Sequence, residues 1–165
     1  MDRFAVRLAT AEDAQTLGAL RTELFSELGR LSASGQPAFE RAAADALADA
    51  IDRGDCFAWL AESAPGQPIG SVAMLIYPRL PSPDAPERRE GYLLNVYTAP
   101  DWRGRGVAGS LVNAAIAKGR ELGLARIRLH ATAAGQRVYA AAGFALRDDE
   151  MELQFRTREP ENPRT

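Results

Sequence analysis

Arg103-Gly104-Arg105-Gly106-Val107-Ala108-Gly109 is the stretch whose reading decides the fold. It sits between a β-rich run, Gly91 to Thr98, and a helical one that opens at about Gly106 and continues through Leu111, Ala115 and Lys118 to Leu122, before a Gly123 stop. Its glycines remove side chains where a ligand must approach backbone. The N–H groups of the helix start, aided by the helix dipole, make an anion site there. A diphosphate fits that description. Gly104-x-Gly106-x-x-Gly109 also has the spacing of a dinucleotide-binding fingerprint. That motif, however, follows its strand directly and needs an acid about twenty residues on to hold a ribose. Here Ala99-Pro100-Asp101-Trp102 intervenes, and Ile127-Arg128-Leu129-His130-Ala131-Thr132 offers no acid. A nucleotide-dependent oxidoreductase is therefore the remoter alternative.

Outward from the loop the pattern alternates between two periods. Phe4, Val6 and Leu8 recur every second residue, as in a strand with one buried face. Thr10 and Asp13 resemble a helix cap, after which Ala14, Leu17, Leu20, Leu24 and Leu28 recur at helical spacing up to Gly29. Ser32 to Pro37 reads as a loop, and a second helix is expected from about Phe39 to Arg53. Cys56 to Glu62 and Ile69 to Tyr77 form a hairpin around Ala64-Pro65-Gly66-Gln67, and Pro78 to Arg89 reads as an exposed loop. Downstream of the glycines come a strand from Arg126 to Ala131, a short helix from Gly135 to Ala142, and a last strand at Met151 to Phe155. Strand-helix-strand units occur only in the second half, which predicts a mixed sheet with helices on both faces.

Three segments carry a family likeness. Arg103-x-x-Gly106-x-Ala108 resembles the Arg/Gln-x-x-Gly-x-Gly/Ala signature of the GNAT acetyltransferases. Tyr139-Ala140-Ala141-Ala142-Gly143-Phe144 is similar to that family's Tyr-x-x-x-Gly-Phe segment, and Asn95-Val96-Tyr97-Thr98-x-Pro100 to its bulged strand. The resemblance implies an α/β GNAT fold, α+β mixed in character, with a central mixed sheet of six to seven strands. It covers residues 1–156 as one N-acetyltransferase domain and leaves 157–165 as a frayed tail. Thr132 departs from the pattern, since many relatives carry Asn seven residues before the tyrosine.

What the resemblance implies for function is acetyl transfer from acetyl-CoA to the amine of a small molecule or peptide. In such proteins the amides of the glycine loop, here about Arg105 to Ser110, hold the CoA pyrophosphate, and the strand before it, here Val96 to Thr98, pairs with the pantetheine arm. The expected cofactor residues are thus Val96, Tyr97, Thr98, Arg103, Gly104, Arg105, Gly106, Val107, Ala108, Gly109 and Ser110. A bulge gives this chemical sense, because it leaves unpaired N–H and C=O groups for a peptide-like ligand. The main-chain N–H of Val96 is the family-like group to polarise the thioester carbonyl, and Tyr139 the candidate acid for the leaving thiolate. Direct attack needs neither a covalent intermediate nor a metal.

Arg21 falls on the leucine stripe of the first helix with Leu17, Leu24 and Leu28, so Arg21, Glu23 and Glu27 are the acceptor-site candidates. His130 alternates with Ile127 and Leu129 and is expected on the other side of its strand, as a structural histidine first and a base as the lesser alternative. The alternative from another class is a non-catalytic acyl-CoA sensor of the same fold.

At 165 residues and a formal net charge of -2, the chain has the size of one domain and no general pull towards nucleic acid. Its one cysteine, Cys56, has apolar neighbours and reads as core filler. No run approaches the ~20 apolar residues of a membrane span, and the amino terminus alternates instead of forming a signal-peptide block. A cytoplasmic monomer or homodimer that engages no membrane is expected.

Overall fold

The two sequence periods resolve into two layers of helix around one sheet. In the computed structural model, which describes residues 3–147 and 149–155, the strands are β1 Ala5–Leu8, β2 Cys56–Ala64, β3 Gln67–Pro78, β4 Arg89–Thr98 and β5 Ile127–Leu129. The helices are α1 Ala14–Glu27, α2 Gln36–Asp52, α3 Val107–Glu121 and α4 Gln136–Ala141. Strand order is β1-β2-β3-β4-β5. The first three pairings are antiparallel and β4–β5 is parallel, as a crossover through α3 requires.

β2 explains why helices cover both faces. Its apolar run buries Cys56, Ala58 and Leu60 with Leu17, Leu20 and Leu47 of α1 and α2. The alternate residues Trp59 and Ala61 pack with Val107, Leu111 and Ala115 of α3. A strand buried on both faces reads as a continuous hydrophobic run, which is what Cys56 to Ala61 supplies. α3 comes so close to β5 that a Cβ on Gly119 would lie 2.8 Å from Ile127 Cδ1. The expected cap at the chain's first turn is present: Thr10 N–H donates to the Asp13 carboxylate at 2.9 Å, and Asp13 N–H returns a bond to Thr10 O at 3.0 Å.

Among the described residues the sheet has five strands, not six or seven. The strand expected at Met151 to Phe155 is absent: these residues have no regular structure, and Met151, Leu153 and Phe155 stand 101%, 77% and 88% exposed. Alternation predicts a strand only where one face is buried, and this run has no such face. α2 begins at Gln36, earlier than expected, because Pro37 is accommodated in its first turn where no N–H is needed. The tail expected at 157–165 lies outside the described residues.

At the start of β4 the sheet encloses a carboxylate. Glu90, 4% exposed, accepts from Arg79 at 2.7 Å, Arg126 at 2.8 Å and Tyr77 at 2.9 Å. Arg79 then clasps the β3–β4 loop through the carbonyls of Ala85 and Glu87. The loop is largely exposed, as its sequence suggests, but its first arginine turns inward to Glu90, where Tyr77 and Arg126 also meet. Glu90→Gln keeps the shape but removes the charge from these bonds. It should cost about 2 kcal/mol and lower the melting temperature by about 6 °C, measured by differential scanning calorimetry.

Candidate active site

The site begins with one extra residue in β4. Ser71 pairs with Tyr97 and Ala73 with Leu94, so Val72 alone faces both Asn95 and Val96. Asn95 takes up the irregularity at φ 59, in the left-handed region that asparagine tolerates better than most side chains. The packing shows the same offset. Leu94 and Tyr97, three apart, both face α1 and α2, while Leu93 and Val96 both face α3. Ser71, fully buried, donates its hydroxyl to Asn95 O at 3.3 Å and secures the bulge.

Just before the bulge, β4 and β5 part. Their register ends at Leu93↔Leu129, whereas β4 continues to Thr98. The side of β4 turned towards β5 is thus available over Leu94 to Thr98 for a ligand carrying amide groups. Buried polar atoms gather on this stretch: the Asn95 amide and Thr98 Oγ1 have no hydrogen-bond partner among the described residues.

The glycine loop completes the groove. Gly104 and Gly106 adopt φ 76 and 84, and a Cβ at Gly104, Gly106 or Gly109 would meet nothing within 4 Å. Gly106 is the N-cap of α3 without a side-chain cap, and the first helical bond runs from Ser110 N–H to Gly106 O. The N–H groups of Val107, Ala108 and Gly109 precede it. α3 carries Lys118 and Arg120 in its last turn but no acid in its first. The dipole is thus matched at one end only, and an anion suits the other. These features fit a diphosphate joined to an amide-bearing arm.

Among the loop arginines, Arg103 is turned back onto the protein. It donates to Thr98 O at 3.0 Å and to Glu27 at 2.5 Å. Arg105 lies over the Trp102 ring, 5.2 Å from its centroid.

Of the three acceptor-site candidates the fold brings two together. The Tyr97 hydroxyl lies 2.8 Å from Glu23 and 3.0 Å from Glu27, sharing its one proton between two carboxylates. Burial, then these two acceptors, push the phenol well above its usual range. Arg21 does not join them. Its guanidinium stacks 4.8 Å from the centroid of Phe25, whose ring also carries Arg30 at 4.9 Å, and burial followed by the Arg30 charge lowers its pKa. The side-chain role of Tyr97 was not legible in sequence, because it depends on the bulge turning residue 97 to the α1 face.

Tyr139 packs on the α3 side, in the same cluster as Val96, with its ring edge-on to Phe144 at 6.0 Å. Burial raises its pKa, so the phenol is held neutral. Thr132 caps the turn into α4, accepting from Gly135 N–H at its hydroxyl, 3.3 Å away. A cavity of about 680 Å³ runs beside β5, lined among others by Leu129, His130 and Tyr139. No helix among the described residues is long and apolar enough to cross a membrane.

The chain is similar to a GCN5-related N-acetyltransferase from Ralstonia eutropha JMP134, with 29% identity, a TM-score of 0.79, and coverage of 92% of this chain and 99% of the other. It shares its fold with a predicted acetyltransferase from Clostridium acetobutylicum solved with acetyl-CoA, at 24% identity, a TM-score of 0.80, and coverage of 92% and 96%. A ribosomal-protein-alanine N-acetyltransferase from Brucella melitensis biovar Abortus 2308 shares the fold at 20% identity, a TM-score of 0.65, and coverage of 94% and 100%. No curated protein sequence matches significantly. The sequence model of the Acetyltransferase (GNAT) family matches residues 21–144. That match spans most of the chain, and the chain belongs to the GNAT acetyltransferase family.

Proposed function

We propose that the protein is an acetyl-CoA-dependent N-acetyltransferase in which an amine attacks the thioester directly. The observation that carries this reading is the continuity of the bulge at Asn95, the parting of β4 from β5 and the uncapped start of α3. One groove so built offers amide partners to a pantetheine arm and N–H groups to a pyrophosphate. The solved relative from Clostridium acetobutylicum carries acetyl-CoA on the same fold, which supports the choice of co-substrate.

In this reading the N–H groups at the start of α3 hold the pyrophosphate, Val96 N–H polarises the acetyl carbonyl, and Tyr139 protonates the departing sulfur. Preorganised donors lower the barrier because they need not reorient as charge develops on the oxygen. Arg103 serves chiefly as a brace between the loop and α1, given its bonds to Thr98 and Glu27. Glu23 and Glu27 present negative charge on the α1 face and favour a cationic amine. Arg21, stacked on Phe25 apart from this pair, is the cation that would meet an anionic part of the acceptor.

A thiol-release assay over antibiotics, polyamines, amino acids and peptide amino termini tests the reading. Thiol release that requires an amine, with the acetylated amine identified by mass, is the expected result. Tight acetyl-CoA binding without turnover on any amine would instead identify a sensor.

A further inference from the structure

The acid that protonates sulfur is half of the proton traffic, and the other half needs a base on the amine's side of the sheet. Sequence reading favoured a structural role for His130, with a base as the lesser alternative. The structure gives its ring a specific partner across the sheet. Ile127 and Leu129 pack towards α3, whereas His130 reaches back to Tyr92 of β4: the Tyr92 hydroxyl and His130 Nδ1 are hydrogen-bonded, with ring centroids 5.9 Å apart. Tyr92 is two residues before Leu94, which faces α1 and α2, so alternation sets its ring on the face that carries Tyr97, Glu23 and Glu27. His130 follows the last β4–β5 pair, Leu93↔Leu129, and so stands where the strands part.

We propose that His130 is the general base of the reaction, oriented by Tyr92, a positioning residue; this rests on the acetyl-transfer reading above. With Nδ1–H donated to the Tyr92 oxygen, Nε2 keeps its lone pair for the acceptor. Its neighbours are few. Glu152 approaches Nε2 at 4.0 Å with both side chains more than half exposed, a contact that an incoming ammonium displaces at little cost. Arg128 on β5 is occupied by Glu90 and Glu150. His130 and Tyr139 line one cavity, so base and acid open onto the same space from the two sides of the strand.

The ammonium gives one proton to Nε2, and the neutral nitrogen forms the C–N bond as the C–S bond breaks. The nitrogen's second proton leaves to solvent, the thiolate takes the Tyr139 proton, and solvent returns one to the phenolate. After His130 gives up its own proton, the net products are amide, CoA thiol and one released proton.

The test compares kcat/KM against pH for the wild-type protein, His130→Gln and Tyr92→Phe, with an amine the wild type acetylates. His130→Gln should lose on the order of 10²-fold at pH 7, and less as pH approaches the amine's own pKa and the free base needs no help. Added imidazole should restore part of the loss. Tyr92→Phe should show a smaller loss with the same pH trend. CoA affinity, measured by calorimetry, should be unchanged in both. A His130→Gln profile equal to wild type, or lowered equally at every pH, overturns the proposal, as does a loss confined to CoA affinity. A wild type that acetylates no amine overturns the acetyl-transfer reading, and the base with it.

Discussion

Ala108→Glu should abolish CoA binding while leaving the fold intact or slightly firmer. Ala108 is half-buried in the first turn of α3, which carries no acid. A carboxylate there complements the dipole, by about 0.3–1 kcal/mol, and competes for the N–H groups assigned to the pyrophosphate. Against a phosphate at about 4 Å, with an effective dielectric of about 20, the repulsion is about 4 kcal/mol, or about a thousandfold in affinity. Substitution at Gly106 is a poorer probe, because its φ of 84 would strain any side chain whatever its charge. Calorimetric titration with CoA, beside a thermal melt, separates the two effects. Normal affinity in a folded Ala108→Glu protein would remove the pyrophosphate from this helix.

Tyr139→Phe should lower turnover on the order of 10²-fold or more, with CoA affinity retained. The phenyl ring still fills its place against Phe144 and the α3-side cluster, so the substitution removes little but the hydroxyl. Because burial raises the phenol's pKa, the proton stays on oxygen through neutral pH and above the usual phenol range. The wild type should therefore show no alkaline loss of activity from Tyr139 below about pH 10. The fall belongs to kcat, since sulfur demands the proton only as the C–S bond breaks. Near-normal turnover on a confirmed acceptor would reduce Tyr139 to packing.

The backbone geometry of the glycine loop was legible in sequence because its signals are local. Three glycines after a strand specify a turn into a helix start that no distant residue has to complete, whereas the bulge at Asn95 was marked only by family resemblance and is completed by Ser71 on β3. The contacts that cross the fold were not legible. Tyr97 reaches Glu23 and Glu27 only because the bulge shifts which face residue 97 occupies, and period-two reading has no means of counting the extra residue. The stacking of Arg21 on Phe25, by contrast, is a local contact one turn apart that helical spacing permits but does not demand. The Tyr92–His130 bond joins two strands whose parallel pairing depends on a long crossover. Met151 to Phe155 failed in the opposite direction, since a strand pattern without a buried face does not make a strand.

Parallel measurement of thiol release and amide formation, in wild type and Ala108→Glu with the same amine, tests the central claim most directly. The wild type should release one thiol for each amide formed, and only when the amine is present, while Ala108→Glu should produce neither. Amide formation by Ala108→Glu at the wild-type rate, or thiol release without amide, would contradict the assignment of this groove to acetyl transfer.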